Sequence, residues 1–462
     1  MTSHVNPLMF REYDIRGLVG RDLTEPVMNV LGRAAGAFFR RNVERPTIAV
    51  GRDVRLSSEG FAAAAITGLR SAGCEVIDVG QVPTPVLYFA VDHFQTDGGL
   101  CITASHNPPQ FNGLKLRTRT GQHGDPLSSD EVQEVLRIVE GGVFAEGAGD
   151  YRIADAVTPY LDYIGRTVRV ARPIRVVLDS GNGVTGPTAM EALRRIGAEV
   201  IGLYIEPDGA FPNHMPNPLK AENLVDLART VREHGAAIGV GLDGDGDRLG
   251  VVDDAGDILW PDQYLIFLAR RALAKGPSPV IFDVKCSMAL PEEIERAGGT
   301  PVMTRTGYTN IARKRREIGG SVAGEFSGHI FFDDPVIDFD DGAFAACMLV
   351  QWLSTQDQPL SALMRGITDY HATPEERYAC PDTRKFEVVE AVRAFFKERY
   401  ETIDLDGVRV VFPDGWALVR ASNTEPALTA RYESRTPERL HEIVELVKAK
   451  LREFPEVDLE HE

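Results

Sequence analysis

The chain has 462 residues, 43% hydrophobic and 26% charged, which supplies several packed cores and excludes a disordered or low-complexity protein. Its 50 Lys and Arg against 68 Asp and Glu leave a net charge of −18, a field that repels nucleic acid and anionic membrane alike. No apolar run is long enough to span a membrane, the opening MTSHVNPLMFREYDIRG does not read as a signal peptide, and five cysteines without CxxC spacing suit neither a disulfide framework nor a zinc knuckle.

A soluble cytoplasmic protein is therefore expected, and at roughly 150 residues per domain the length suggests about three domains. A small anion remains a possible ligand wherever basic groups converge. REYDIRG offers the first such place, with Arg16 beside Tyr13 and ahead of a glycine. PTIAVGRDVR (46–55) then predicts a strand, GFAAAAITGLRSAG (60–73) a helix closed by glycine, and EVIDVG (75–80) a second strand. The plan recurs at 173–204 and at 279–307, and each glycine after the helix reads as a C′ cap that returns the chain for a parallel strand. Three βαβ units predict three α/β domains with mixed, mostly parallel sheets.

Between the first two units, GGLCITASHNPPQFNGLK (98–115) places Ser105 at a strand end, on a loop stiffened by Pro108 and Pro109. An exposed loop hydroxyl on a rigid scaffold suits a nucleophile or phosphate carrier, although an ordinary polar turn would look the same. It is not a GxSxG elbow. GNGVTG (181–186) matches a dinucleotide fingerprint, but Glu206 is badly placed for the ribose, and a tight strand-to-helix turn explains the glycines better.

GVGLDGDGDRLGVVD (239–253) is the most informative stretch. Asp243, Asp245 and Asp247 alternate with glycines straight after an apolar strand, so period two turns three carboxylates to one side. Such a group repels itself unless a hard cation sits within it, which suits Mg²⁺ completed by a phosphate oxygen. An EF-hand fails, because Arg248 stands at the required glycine and Asp254 at the bidentate glutamate. Further on, GEFSGHIFF (324–332) alternates Glu325, Ser327 and His329, a pattern that would show them to one side. After residue 368 the plan changes to a helix at 386–400, three antiparallel strands and a helix capped at Thr436, an α+β domain. There RASNTEP gathers Arg420, Ser422, Asn423 and Thr424, donors that a phosphate dianion wants. Lys115, Lys285 and Arg431, each taken alone, read as surface charges.

Taken together, in this order and on this plan, the motifs resemble the α-D-phosphohexomutase superfamily across essentially the whole chain. TASHNP resembles its phosphoserine loop, LDGDGDR its magnesium loop, GEFSGH its sugar-recognition loop and RASNTEP its phosphate-binding loop. GEFSGH and REYDIRG are most similar to the bifunctional phosphomannomutase/phosphoglucomutase group, although Phe326 matches neither GEMSGH nor the GEQSGH of phosphoglucosamine mutases. The change of plan along the chain puts boundaries near 150, 256 and 368, giving four domains at 1–150, 151–255, 256–367 and 368–462, and the resemblance implies that each carries one loop in that order around a central cleft.

It also implies interconversion of hexose 1- and 6-phosphates, of mannose, glucose or both, through a phosphorylated Ser105 and a 1,6-bisphosphate. Ser105, Asp243, Asp245 and Asp247 would hold Mg²⁺, Lys115 and Arg248 would stabilise the transferring group, and His329 with Lys115 would move the proton. Glu325 and Ser327 would grip the sugar, Arg420, Ser422, Asn423 and Thr424 the idle phosphate, with Tyr13, Arg16, Lys285 and Tyr308 as further contacts. Tyr308 stands where many bifunctional members carry histidine, and a phenol with a pKa near 10 is a poor base. Mg²⁺ and glucose 1,6-bisphosphate are the implied cofactors and a sugar phosphate the partner, in a monomer or homodimer. Alternatives are a phosphoglucosamine mutase, a magnesium-dependent sugar phosphatase, a non-catalytic paralogue, and a dehydrogenase on Gly181, Gly183 and Gly186 that leaves the aspartates unexplained.

Overall fold

A computed structural model describes residues 5–120, 123–422 and 426–459. The chain forms two compact units, one of Met1–Pro261 with Ser327–Ser361, the other of Asp262–Phe326 with Ala362–Glu462.

In the first unit one sheet runs in the spatial order Ile15–Leu18, Phe111–Thr120, Gly98–Ile102, Thr47–Arg52, Glu75–Gln81, Tyr151–Ile153. Its centre is the expected βαβ unit: Thr47–Arg52 and Glu75–Gln81 pair in parallel, joined by helix Ser58–Ser71, which ends at Gly73 with φ +87°. Gly98–Ile102 is buried along its whole length, parallel to Thr47–Arg52 on one side and antiparallel to Phe111–Thr120 on the other. A strand covered on both faces is wholly apolar rather than alternating, as GGLCI is.

The second sheet sets Arg175–Asp179 between Glu199–Leu203 and Ile238–Leu242, all parallel, and then turns back through Leu249–Asp253. Leu242 pairs with Leu249, so residues 243–248 form a hairpin loop at the carboxyl end of a parallel strand. Ser105 likewise lies beyond the carboxyl end of Gly98–Ile102. Carboxyl ends of strands are where open α/β sheets present their ligands. Helix Gly342–Leu353, in the segment that returns to this unit, is capped by Asp341 and buried almost throughout.

In the second unit Pro279–Asp283 pairs in parallel with Thr300–Thr304 and Val322–Gly324, and helix Ala289–Arg296 joins the first two. The C-terminal sheet is antiparallel, with Gly415–Ala421 and Ala427–Ser434 buried at every position. Helices Lys385–Lys397 and Pro437–Leu451 cover it, and the second starts where expected, the Thr436 hydroxyl accepting from Arg439 N at 3.2 Å. Mixed α/β sheets followed by an antiparallel α+β sheet are thus the observed fold. Among the described residues, no helix is long and apolar enough to cross a membrane.

Candidate active site

Ser105 is not the exposed hydroxyl that its loop suggests: it is 1% exposed. The reason is the aspartate loop, which lies directly on it. A Cβ at Gly244 would stand 2.4 Å from the Ser105 carbonyl oxygen, so only glycine allows this approach. Ser105 adopts φ 51°, in the left-handed region, and its Oγ donates to Asp243 Oδ2 at 2.7 Å. Its backbone N–H is held by Thr103 Oγ1 at 2.9 Å, and His106 Nδ1 lies 3.0 Å from Oγ. Burial, then Arg248 and Arg16, push the His106 imidazole well below its ordinary range, so a neutral ring flanks the serine.

The three aspartates converge as their spacing suggests, each with a carboxylate oxygen within 4.8 Å of the others. Lys115, directly across the sheet from Cys101, reaches under the loop. Its Nζ donates to Asp245 Oδ2 at 2.7 Å and Asp247 Oδ2 at 2.5 Å. Far from being a surface charge, Lys115 is buried, because its partners are buried acids. Thr84 Oγ1 also donates to Asp245 Oδ2, at 2.7 Å, and Asp243 Oδ1 accepts from the backbone of Gly246 and Arg248.

Burial and the charges of Asp247 and Asp245 push Asp243 well above the carboxylate range. Burial acts the same way on Asp247, but Lys115, His329 and Arg248 outweigh it and hold that group below the usual range. Asp245 Oδ1 and Asp247 Oδ1 are buried without a hydrogen bond. Two buried carboxylate oxygens without a hydrogen bond, converging with a third buried acid, fit a hard divalent ion better than a softer metal.

His329 joins the same cluster, Nδ1 lying 2.7 Å from Asp340 Oδ2 and 3.8 Å from Asp247 Oδ1. Burial opposes its protonation, yet Asp247 and Asp340 prevail and raise its pKa. Arg248 Nε is 3.9 Å from Asp247. Arg16 grips the Ser105 loop itself, through Ala104 O at 3.3 Å and Asn107 Oδ1 at 2.6 Å, while Asp14 orients its Nε. Tyr13 lies three residues before it in a bend, half-buried.

GEFSGH departs from the alternation read in sequence. Residues 326–327 turn and Gly328 takes φ +92°, so the segment is not extended. Glu325 and Phe326 end the second unit's part and Ser327 opens the first unit's part. Each end engages its own unit, Glu325 Oε1 accepting from Gly307 N at 3.2 Å and His329 meeting Asp340. Ser327 Oγ is buried without a hydrogen bond.

Within the second unit a polar network ties the remaining candidates together. Arg420 Nε donates to Asp406 Oδ2 at 2.9 Å, which also accepts from Thr306 N. Thr306 Oγ1 donates to Asp283 Oδ2, and Asp283 Oδ1 accepts from Phe326 N. Tyr308 starts helix Tyr308–Ile318 immediately after the glycine that contacts Glu325. Lys285 is buried, 3.4 Å from Glu375, and Arg431 is buried above the Phe326 ring, 3.7 Å from its centroid. Neither is a surface charge, since each has acidic or aromatic partners from distant parts of the sequence. Ser422 is anchored by Lys385, whose Nζ donates to its carbonyl at 2.6 Å. Asn423 and Thr424 lie outside the described residues.

Residues 7–146, 158–256 and 260–370 match the phosphoglucomutase/phosphomannomutase alpha/beta/alpha domains I, II and III, and residues 375–450 match that family's C-terminal domain. The chain belongs to the phosphoglucomutase/phosphomannomutase family. A phosphomannomutase/phosphoglucomutase of Pseudomonas aeruginosa is 41% identical over 447 residues, 96% of this chain and 95% of that one. A phosphoglucomutase of Neisseria gonorrhoeae is 40% identical over 97% of each chain. The crystal structure of a phosphoglucomutase/phosphomannomutase family protein from Burkholderia thailandensis superposes with a TM-score of 0.91 at 36% identity, covering 97% of this chain and 98% of that one.

In this phosphoglucomutase/phosphomannomutase chain the glycines of GNGVTG make a tight turn, as the sequence favours. Gly181 has φ +51°, and Val184 N donates to the Gly244 carbonyl, bracing the aspartate loop. Sequence reasoning missed Thr84, Asp340 and Asp406. Each is a short polar side chain in an undistinguished context, significant only through a partner more than ten residues away.

Proposed function

We propose that this chain interconverts hexose 1-phosphate and hexose 6-phosphate, with mannose, glucose or both as substrate, through phosphorylated Ser105 and a 1,6-bisphosphate. The observation that carries the reading is Ser105 Oγ at 2.7 Å from Asp243, at the edge of three converging buried carboxylates, in a chain 41% identical to a phosphomannomutase/phosphoglucomutase. The family's domain matches support a division into four domains near 150, 255 and 367, each contributing one loop.

Bound by Asp243, Asp245, Asp247 and an oxygen on Ser105, Mg²⁺ would neutralise charge on the transferring phosphoryl group. Phosphoserine gives its phosphoryl group to the free sugar hydroxyl: the P–O bond to Ser105 breaks, a P–O bond to the sugar forms, and the hydroxyl proton leaves. His329, with Nδ1 beside Asp340, takes that proton in its neutral form and returns it, and Lys115 assists from its place on Asp245. Arg248 and Lys115 offset the charge of the equatorial oxygens. The resulting 1,6-bisphosphate turns over, its other phosphate passes back to Ser105, and glucose 1,6-bisphosphate added from outside primes unphosphorylated enzyme.

Glu325 and Ser327 take the sugar 3- and 4-hydroxyls, which are shared by glucose and mannose. Arg420, Ser422, Asn423 and Thr424 hold the phosphate that is not reacting. Tyr13, Arg16, Lys285 and Tyr308 complete the contacts with the sugar phosphate. We place the enzyme in the cytoplasm as a monomer or homodimer; its five buried free thiols suit a reducing compartment.

The test is a coupled assay with Mg²⁺ and catalytic glucose 1,6-bisphosphate, comparing glucose 1-phosphate, mannose 1-phosphate and glucosamine 1-phosphate in wild type and Ser105→Ala. Turnover of glucose or mannose 1-phosphate, lost with Ser105, is expected. Turnover of glucosamine 1-phosphate alone, or release of inorganic phosphate instead of isomer, would overturn it.

A further inference from the structure

Arg55 has no part in the chemistry above, yet it is one of the best-satisfied charges in the first unit. A guanidinium has five N–H donors, and here each finds an acceptor. Nε donates to Asp53 Oδ2 at 3.0 Å. Nη1 donates to the carbonyls of Pro108 and Phe111 at 2.7 and 3.0 Å, and Nη2 to those of Ser105 and Asn107 at 2.8 and 2.6 Å. Four of the five acceptors are therefore main-chain oxygens of one stretch, the loop at 105–110 and the first residue of the strand that follows it. That loop is folded around a cation.

The cation is set independently of the loop. Asp53 also accepts from Arg55 N at 3.0 Å and from Ser58 Oγ at 2.5 Å, which fixes its carboxylate, and the Phe211 ring lies 5.3 Å from the guanidinium carbon. Arg55 itself is 2% exposed. The loop, by contrast, needs holding: Ser105 sits at φ 51°, a conformation that a residue with a side chain adopts only under constraint from its surroundings.

We propose that Arg55 is a positioning residue that presets the Ser105 loop for phosphoryl transfer, an inference that rests on the reading of Ser105 as the phosphoryl carrier. It acts through the main chain and touches no substrate group. Its loss therefore slows transfer to and from Ser105 equally for both sugars and leaves substrate affinity alone. Lysine is no substitute, because a point charge with three donors cannot span four carbonyls in one plane.

The experiment compares wild type, Arg55→Lys and Asp53→Asn as full chains with Mg²⁺. It measures phosphate on Ser105 by intact mass after exposure to glucose 1,6-bisphosphate, the ³¹P line of the phosphoserine, and kcat and KM per folded molecule. A misplacement of about 1 Å costs on the order of 100-fold in rate. Arg55→Lys is accordingly expected to lower kcat by about 10- to 100-fold on both sugars, with KM within about twofold and a shifted or broadened ³¹P line. Asp53→Asn, which removes the counter-charge at Nε and leaves the four carbonyl bonds in place, should show the same split in smaller measure, and decides the matter if Arg55→Lys does not fold. Wild-type kcat and ³¹P line in the folded variants would overturn the positioning role, as would a rise in KM with kcat unchanged. Wild-type protein that takes up no phosphate would overturn the carrier reading itself, and the positioning role with it.

Discussion

At the scale of single residues, the site depends on how buried charges are compensated. Lys115 holds the Oδ2 atoms of Asp245 and Asp247 while their Oδ1 atoms are left without a hydrogen bond. Removing one partner of a buried ion pair costs about 3–5 kcal/mol, because the remaining charge has neither water nor counter-charge. Lys115→Met should therefore melt well below wild type in EDTA. A divalent ion on the same carboxylates restores the balance, and ligand at 100 times its Kd adds about 2.7 kcal/mol. Differential scanning fluorimetry should show a larger Mg²⁺-dependent rise in Tm for Lys115→Met than for wild type; equal rises would contradict this account of the cluster. The aspartates themselves were legible in sequence, because period two and interleaved glycines leave carboxylates little else to do. Lys115, Lys285 and Arg431 were not, since burial of a cation is decided by partners far along the chain, such as Asp245 for Lys115 and Phe326 for Arg431.

Elements were easier to read than the contacts between them. Apolar strands, glycine caps at Gly73, Gly197 and Gly298, and the Thr436 cap announced the βαβ units and the last helix. Helix Gly342–Leu353 went unread because GAFAACMLVQWL is apolar on all sides and shows no period. The GEFSGH segment misled because alternation implies a strand, whereas a turn at 326–327 and the positive φ of Gly328 break it. Least visible of all was the meeting of two loops, the Gly244 turn on the Ser105 carbonyl. Gly244→Ala tests that contact. Overpacking of this kind typically costs about 1–3 kcal/mol. The variant should keep its circular dichroism spectrum, melt a few degrees lower and lose at least about tenfold in kcat. Wild-type kcat would show that the loops need not meet.

At the scale of the whole molecule, distant segments are tied by buried acids, and these set its response to pH. Asp341 caps helix Gly342–Leu353 through Phe344 N at 2.9 Å and accepts from Tyr160 of helix Val157–Thr167 at 2.8 Å. Burial raises its pKa from 3.8 to about 7, against the hydrogen bonds from Phe344, Tyr160 and Ala343 that lower it. The folded chain thus keeps a proton that the unfolded chain releases near pH 4. The contribution to stability is complete below that pH and is lost as pH rises through about 7. Asp341→Asn keeps the cap and cannot ionise, so its Tm should fall less than that of wild type between pH 5 and 8. Parallel Tm curves would contradict this assignment.

In the proposed reaction Ser105 lends its phosphate to a sugar and receives one back. The most direct measurement loads Ser105 with ³²P, removes free bisphosphate, and follows the label through a single turnover with excess glucose 1-phosphate. The label should leave Ser105 for the 6-position of the sugar, with an equal amount of unlabelled phosphate returned to the serine. Label recovered as inorganic phosphate, or label still on Ser105 after isomer has formed, would contradict the account.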